Sequence, residues 1–305
     1  MKLLSIRRKP RTERVRLRGE ERRARLRSAC FIAPSLLGVL VFFVIPFCQV
    51  IIYAFVDNPV SKDFVGFSNF ASLLRNAAFK RAAANTLTFS GMAVPLSVIL
   101  SLLLAMILEA RIPGKSKFRT FFLSPMMVPV ASVVLIWQVI FHYNGALNDW
   151  LSVFGVPQTD WLKSNYSQFV IVLLFLWKNL GYNMILFMAA LSNIPSDQLE
   201  AAAVDGAGKF TIFWRIKFRY LSASVLFVTI LSLINSFKVF RETYLLTGEY
   251  PYETLYLLQH FMNNTFQALD YQKMSAAALL FFVVMVVIIG VLFAIDAHLG
   301  KDVEE

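Results

Sequence analysis

Pro195–Leu221, PSDQLEAAAVDGAGKFTIFWRIKFRYL, lies between two long apolar runs and is too polar to cross a bilayer. Its pattern is that of a folded element rather than a slack linker. Ser196 is placed to cap a helix, Asp197 and Glu200 put acid into its first turns, and Ala201, Ala202 and Ala203 propagate it. Gly206 or Gly208 ends it, because glycine accepts the left-handed backbone just past a helix. The spacing predicts a helix of about nine residues, roughly 14 Å long at 1.5 Å per residue. Beyond the glycine turn, Phe213, Ile216 and Tyr220 fall on one helical face, with Arg215, Lys217 and Arg219 toward water or headgroups. A short helix, a turn and an amphipathic return make a protrusion suited to docking into another protein.

The rest of the chain puts that protrusion on a membrane. Of 305 residues, 57% are hydrophobic and 16% charged, mean hydropathy is +0.61, and the apolar residues come in long blocks. This is the composition of an all-α integral membrane protein. Six spans are expected, at 29–56, 84–110, 118–141, 167–193, 222–246 and 273–295. Pro34 and Pro46 bend the first, Gly91 and Pro95 interrupt the second, and Pro125 and Pro129 partly unwind the first half of the third. A short helix is expected near 70–74, and 142–166 and 247–272 read as polar loops. The first 28 residues form a basic tail, holding twelve of the thirty Lys and Arg and accounting for much of the +11 net charge. Because the tail abuts an apolar run, it reads as a topology determinant touching anionic lipid rather than as a nucleic-acid arm. That run is too long for a signal peptide.

With the N-terminus inside, 21 of the thirty basic residues lie on the inner side and six outside, the remaining three being within spans. The bias places both termini and 195–221 in the cytoplasm. Cys30 and Cys48 share the first apolar run and make no disulfide framework, and His142, His260 and His298 are scattered at span ends without zinc spacing. Gly206-Ala207-Gly208-Lys209 has the look of a phosphate-binding loop, but Ala203 and Phe210 occupy positions that need Gly and Ser or Thr.

Glu200-Ala201-Ala202, then Asp205-Gly206 and Ile216, resembles the EAA loop of binding-protein-dependent ABC importer permeases. The resemblance covers about 81–295 and is closest to sugar permeases, specifically the first of their two membrane subunits. It implies the type I permease fold with six transmembrane helices and a cytoplasmic coupling helix, a permease domain over 81–295 and a cytoplasmic tail over 296–305. It also implies a bacterial or archaeal inner membrane as location. The partners it implies are a second permease subunit, two ATP-binding cassette subunits that bind the ATP this chain does not, and an extracytoplasmic solute-binding protein. Glu200, Ala201, Ala202, Asp205, Gly206 and Ile216 would carry ATPase coupling. In this chain Phe218-Arg219 stands where the family usually has Leu-Pro, so the return segment enters the fifth span without a proline bend.

Polar residues inside spans are costly and point to function. Lys178, Asn179, Tyr182 and Asn183 interrupt the fourth span; Ser232, Asn235, Ser236, Lys238, Arg241 and Glu242 interrupt the fifth. Counted from the inner ends at 1.5 Å per residue, Asn179 and Asn235 share a depth of roughly 20–24 Å. Amides, hydroxyls and aromatic rings suit a polyol. Sugar permeases of the resembling family that hold substrate in the membrane build the site from these two segments, which implies that role for Asn179, Tyr182, Ser232 and Ser236, with Asn183 and Asn235 alongside. The same Asn and Ser side chains also fit a role as interhelical glue. Lys178 and Lys238 read as ion-pair members, Lys238 with Glu242 at i,i+4, or as snorkelling cations near the outer face, while Lys178 with Arg241 keeps an anionic substrate such as glycerol phosphate open. An ion-coupled secondary transporter would need buried acids, and Glu242 is almost the only one. A membrane enzyme would need a catalytic cluster that the sequence does not show.

Overall fold

The computed structural model describes residues 27–109 and 113–299. Most of the basic tail, part of the turn after the second span and the last residues lie outside it. Six helical stretches among the described residues are long and apolar enough to cross a bilayer: Arg27–Ala54 (α1), Ala77–Glu109 (α3), Val130–Ser152, Ser167–Ser192 (α7), Lys209–Thr247 (α9) and Tyr271–His298. The third comprises two separate helices, Val130–Phe141 (α5) and Ala146–Ser152 (α6). The remaining helices are Ser68–Arg75 (α2), Lys115–Met127 (α4), Ser196–Val204 (α8) and Leu258–Gln267 (α10), and the sixth span extends over Tyr271–Leu299 as α11. The described residues contain one isolated bridge, Val56 with Phe64, and no strand.

Several expected interruptions are absent. The second span starts at Ala77 rather than residue 84 and runs through Gly91 and Pro95 without a break. A lone proline is tolerated there because tightly packed neighbours hold the helix while one backbone bond is lost. The first half of the third span is helical as α4, and the break falls instead at Val128 and Pro129, both extended. The proline sterically bars a helical conformation at the residue before it. Alone, α5 is about 18 Å long, short of the ~30 Å hydrocarbon layer, so α4 and α5 together complete this crossing. Pro46 coincides with a π turn at Leu40–Val44, a wider turn that absorbs the ring's clash with the preceding carbonyls.

The core is built on α3 against α7. Val98, Ala105 and Leu108 of α3 meet Met184, Phe187 and Leu191 of α7 and Leu221 and Val228 of α9. Toward the other end, Phe89 and Ala93 join Trp137 and Phe141 of α5, Phe175 of α7 and Leu246 of α9. A third cluster seats α10 across the ends of α3 and α11, through Phe79, Leu258, Phe261, Ala276 and Ala277. By contrast, the most apolar windows of α1 and α11 have no buried residue, so those faces meet lipid or another subunit.

Gly181 marks the closest approach of two helices. A Cβ placed there would lie 1.8 Å from the Phe122 carbonyl oxygen of α4, an overlap with backbone that no rotamer relieves. Gly181→Ala is therefore expected to push α4 from α7 and cost about 2 kcal/mol, read as a lower melting temperature of the purified protein in detergent. Gly91→Ala, where a Cβ meets nothing within 4 Å, should be close to neutral.

The helix α10, in the expected 247–272 loop, is held by a histidine. His260 is fully buried; its Nδ1 accepts the Leu257 N–H at 3.3 Å, and the rings of Phe240, Tyr244 and Tyr256 surround it. Burial disfavours the imidazolium and lowers its pKa from 6.5 to about 4. Above pH 6.5 the ring is neutral folded or unfolded. As pH falls below 6.5 the unfolded chain takes up the proton first, so stability drains until about pH 4, with a ceiling of about 3 kcal/mol. His260→Gln should melt with a shallower fall between pH 6.5 and 4 than the unsubstituted protein.

Candidate functional site

Two assemblies of functional side chains stand at different levels. At one end of the bundle, α8 projects with no buried residue. Pro195, not Ser196, is its N-cap, with extended backbone; the Ser196 hydroxyl bonds the Asp197 carboxylate at 3.3 Å instead, so the expected serine cap is not formed. The other terminus is as the sequence implies. Gly206 is left-handed at φ 79°, its N–H donates to the Ala203 carbonyl at 3.1 Å and that of Ala207 to Ala202 at 2.9 Å. These two bonds are the Schellman closure that satisfies the last carbonyls.

The protrusion is braced to the bundle. Leu199 packs on the α3–α7–α9 core, and the Tyr220 hydroxyl of α9 donates to Gln198 Oε1 at 2.8 Å. The return segment is the first three turns of α9, helical from Lys209 through a π turn at Phe213–Lys217 and onward without a bend. Lys217 does not face water as expected: its Nζ reaches Glu109 Oε2 at the end of α3, 2.7 Å away. Glu200, Ala201, Asp205 and Gly206 are exposed, and Ala202 and Ile216 are half-buried. Val204 and Phe210 beside them are 87% and 77% exposed. These two apolar side chains stand bare on a braced, otherwise polar loop.

Within the bundle, α7 and α9 enclose a cavity of about 310 Å³. Asn179, Tyr182, Asn235, Lys178, Lys238 and Glu242 line it with Met126 and Leu231. The shared depth of the two asparagines is realised directly: Asn235 Nδ2 donates to Asn179 Oδ1 at 3.1 Å. Asn179 Nδ2 is in turn held by the Phe175 carbonyl at 2.8 Å. Glu242 pairs with Lys178 across the cavity wall rather than with Lys238 along its own helix.

Asn183, Ser232 and Ser236 are elsewhere. All three are buried in the seam against α3. Asn183 Nδ2 donates to Ser97 and Ser232, each at 2.9 Å, and the Ser236 hydroxyl meets that of Ser90 at 3.0 Å. The reason is angular: a helix turns 100° per residue, so positions four apart share a face only approximately. Asn183, four residues beyond Asn179, drifts into the seam, and their expected place in the cavity is corrected to interhelical bonding. Ser90, Ser97 and Ser101 recur at the seven- and four-residue spacing of one face of α3. That spacing was the available signal.

The sequence matches the family model described as binding-protein-dependent transport system inner membrane component over residues 65–305. The chain belongs to that family. The permease is 32% identical over 259 residues to the trehalose/maltose transport system permease protein MalF of Thermococcus litoralis, covering 83% of this chain and 88% of that one. It is 30% identical over 278 residues to the multiple sugar-binding transport system permease protein MsmF of Streptococcus mutans, covering 90% and 94%. With the sn-glycerol-3-phosphate transport system permease protein UgpA of Yersinia enterocolitica it shares 29% over 265 residues, or 85% and 89%. Among solved structures, a chain of a bacterial ABC transporter importing the acidic polysaccharide alginate superposes with a TM-score of 0.80, 23% identity and coverage of 94% of this chain and 100% of that one. The permease therefore has the importer fold, as its EAA-like loop implied.

Proposed function

We propose that this permease is one of two membrane subunits of an ATP-driven importer for a sugar or oligosaccharide. The end carrying α8 faces the cytoplasm, with both chain termini on that side of a bacterial or archaeal inner membrane. There Glu200, Ala201, Ala202, Asp205 and Gly206 present α8 to an ATP-binding cassette subunit, and Ile216 seats the return segment. A second copy of that cassette serves the partner permease, and a solute-binding protein delivers cargo at the opposite face. The observation that carries the reading is the bracing of α8: Leu199, Gln198–Tyr220 and the helical run from Lys209 to Lys238 connect a bare docking helix to α7 and α9, which line the cavity. Force on α8 then moves α7 and α9 together, changing the side to which the cavity opens.

Asn179, Tyr182 and Asn235 are the contacts for a neutral polyol. Reconstituted with its partners, an Asn179→Ala permease should shift sugar selectivity or affinity severalfold, about the worth of one or two hydrogen bonds, with ATP hydrolysis intact. Unaltered uptake kinetics would remove the cavity from the substrate path. A cysteine at Ser196 should react with an impermeant thiol reagent in inside-out vesicles and not in intact cells; the reverse would overturn the orientation. A second reading, an anionic solute, is favoured by Lys238, which joins Lys178 in the cavity against the single carboxylate of Glu242. Competition of labelled sugar uptake by glycerol phosphate separates the two.

A further inference from the structure

A second and larger cavity, about 580 Å³, opens at the end of the bundle away from α8. It is walled by the end of α5, the segments after it and the end of α9. Leu246 and Thr247 line it, whereas Glu242, about 6 Å earlier on the same helix at 1.5 Å per residue, lines the inner cavity. Gln138 closes the wall between elements, its Nε2 reaching the Leu246 carbonyl at 3.5 Å. The two cavities are thus stacked along α9.

The outer basin carries the chemistry of carbohydrate binding. Tyr143, Tyr250 and Tyr252 line it and are 46%, 77% and 36% exposed, so their ring faces are open to a ligand. Between them stand Gln138, His142 and Asp160. The His142 Nδ1 accepts the Asn144 N–H at 3.1 Å, which leaves Nε2 as the ring nitrogen available to a ligand. The Asp160 Oδ1 takes the Lys163 N–H at 3.1 Å and fixes the carboxylate. Flat aromatic faces for the C–H side of a sugar ring, with an acceptor and donors around them for its hydroxyls, are what a glycosyl unit needs. A bare hydrophobic peptide would leave those polar groups unpaired.

Resting on the sugar reading above, we propose that the outer basin is a second glycosyl subsite, and that the cargo is a linear oligosaccharide long enough to occupy both cavities. The outer subsite receives the chain as it leaves the binding protein and holds its trailing units while the leading unit enters the inner cavity beside Asn179 and Asn235.

The test uses the purified complex of both permease subunits and the two ATPases, titrated without binding protein. The probes are malto-, arabino- and galacto-oligosaccharides of two and four units. The Tyr250→Ala, Asp160→Asn double variant is expected to weaken binding of the preferred four-unit sugar about tenfold, the combined worth of a stacking face and a hydrogen bond. Its effect on the two-unit sugar should stay within about twofold. Tyr250→Phe, which keeps the ring, should bind both like the unsubstituted protein, and equal melting temperatures exclude a folding defect. A loss independent of chain length, or none, overturns the outer subsite and leaves the sugar reading standing. If the unsubstituted complex binds none of the saccharides alone and, supplied with its solute-binding protein, imports none, the sugar reading falls and the subsite with it; import without such binding overturns the subsite alone.

Discussion

Replacing Gly206 with proline is expected to abolish ATP-driven uptake while leaving the chain inserted and folded. The native residue sits at φ 79°, and proline is fixed near −65°, so the Schellman closure cannot form. The substitution also removes the N–H that reaches Ala203 at 3.1 Å. The local cost, about 2–3 kcal/mol for the lost bond and the forced backbone, falls on a helix with no buried residue. It is therefore spent on the position of α8 rather than on the core. Gly206→Ala separates the two components: no neighbour lies within 4 Å of its Cβ, so only the left-handed strain of about 1 kcal/mol remains and uptake should fall partially. Glu200→Lys, a charge reversal on an exposed residue midway along α8, should also stop uptake by repelling the partner. Membrane abundance measured by blotting and uptake measured in the same vesicles decide it. Full transport in both Gly206→Pro and Glu200→Lys would end the coupling assignment.

The features legible in the sequence were those fixed by local chemistry. A glycine turn at 206 or 208 was legible, of which Gly206 takes the left-handed conformation, and the helix has the expected nine residues although Pro195 rather than Ser196 caps it. The depth match of Asn179 and Asn235 was readable because helix rise is constant, so counting inward from two span ends gives a comparable height. What could not be counted was azimuth. Whether a polar side chain on α7 points to the cavity or to α3 depends on how three helices are rotated about their axes, and that rotation is set by contacts such as Gly181 against Phe122. Hence Asn179 faces the cavity and Asn183 the seam. Helix ends differ from the apolar runs wherever packing continues a helix past them: α3 gains its first turns by seating Phe79 and Ala82 under α10, and α9 gains Lys209–Ile212 at the foot of the loop that follows α8. The helix α10 itself was overlooked although Leu258, Phe261, Met262 and Thr265 follow a helical period, because its polar residues dominate the composition.

The second large effect is expected at Lys178 and Glu242. The Glu242 side chain is 6% exposed and that of Lys178 24%, the latter open to the cavity. Glu242→Gln leaves Lys178 without its counter-charge in a cavity wall that also holds the cation of Lys238. Removing one member of a buried pair typically costs about 3–5 kcal/mol; with Lys178 reaching the cavity water, about 2–3 kcal/mol is the fitting range. The same pair joins α7 to the last turns of α9, so the loss is expected as a lower melting temperature and a looser outer end of the cavity. Lys178→Met strands the more buried Glu242 carboxylate and is expected to cost at least as much. The double variant Lys178→Met, Glu242→Gln is expected to recover most of the single-variant loss, since a neutral pair of similar shape carries no stranded charge. The cycle of four melting curves measures the coupling, and additive losses would mean the two residues act independently. Uptake by the double variant then decides the pair's role in transport. If sugar import returns with stability, the pair serves the fold; if stability returns and import does not, the charges themselves face the cargo.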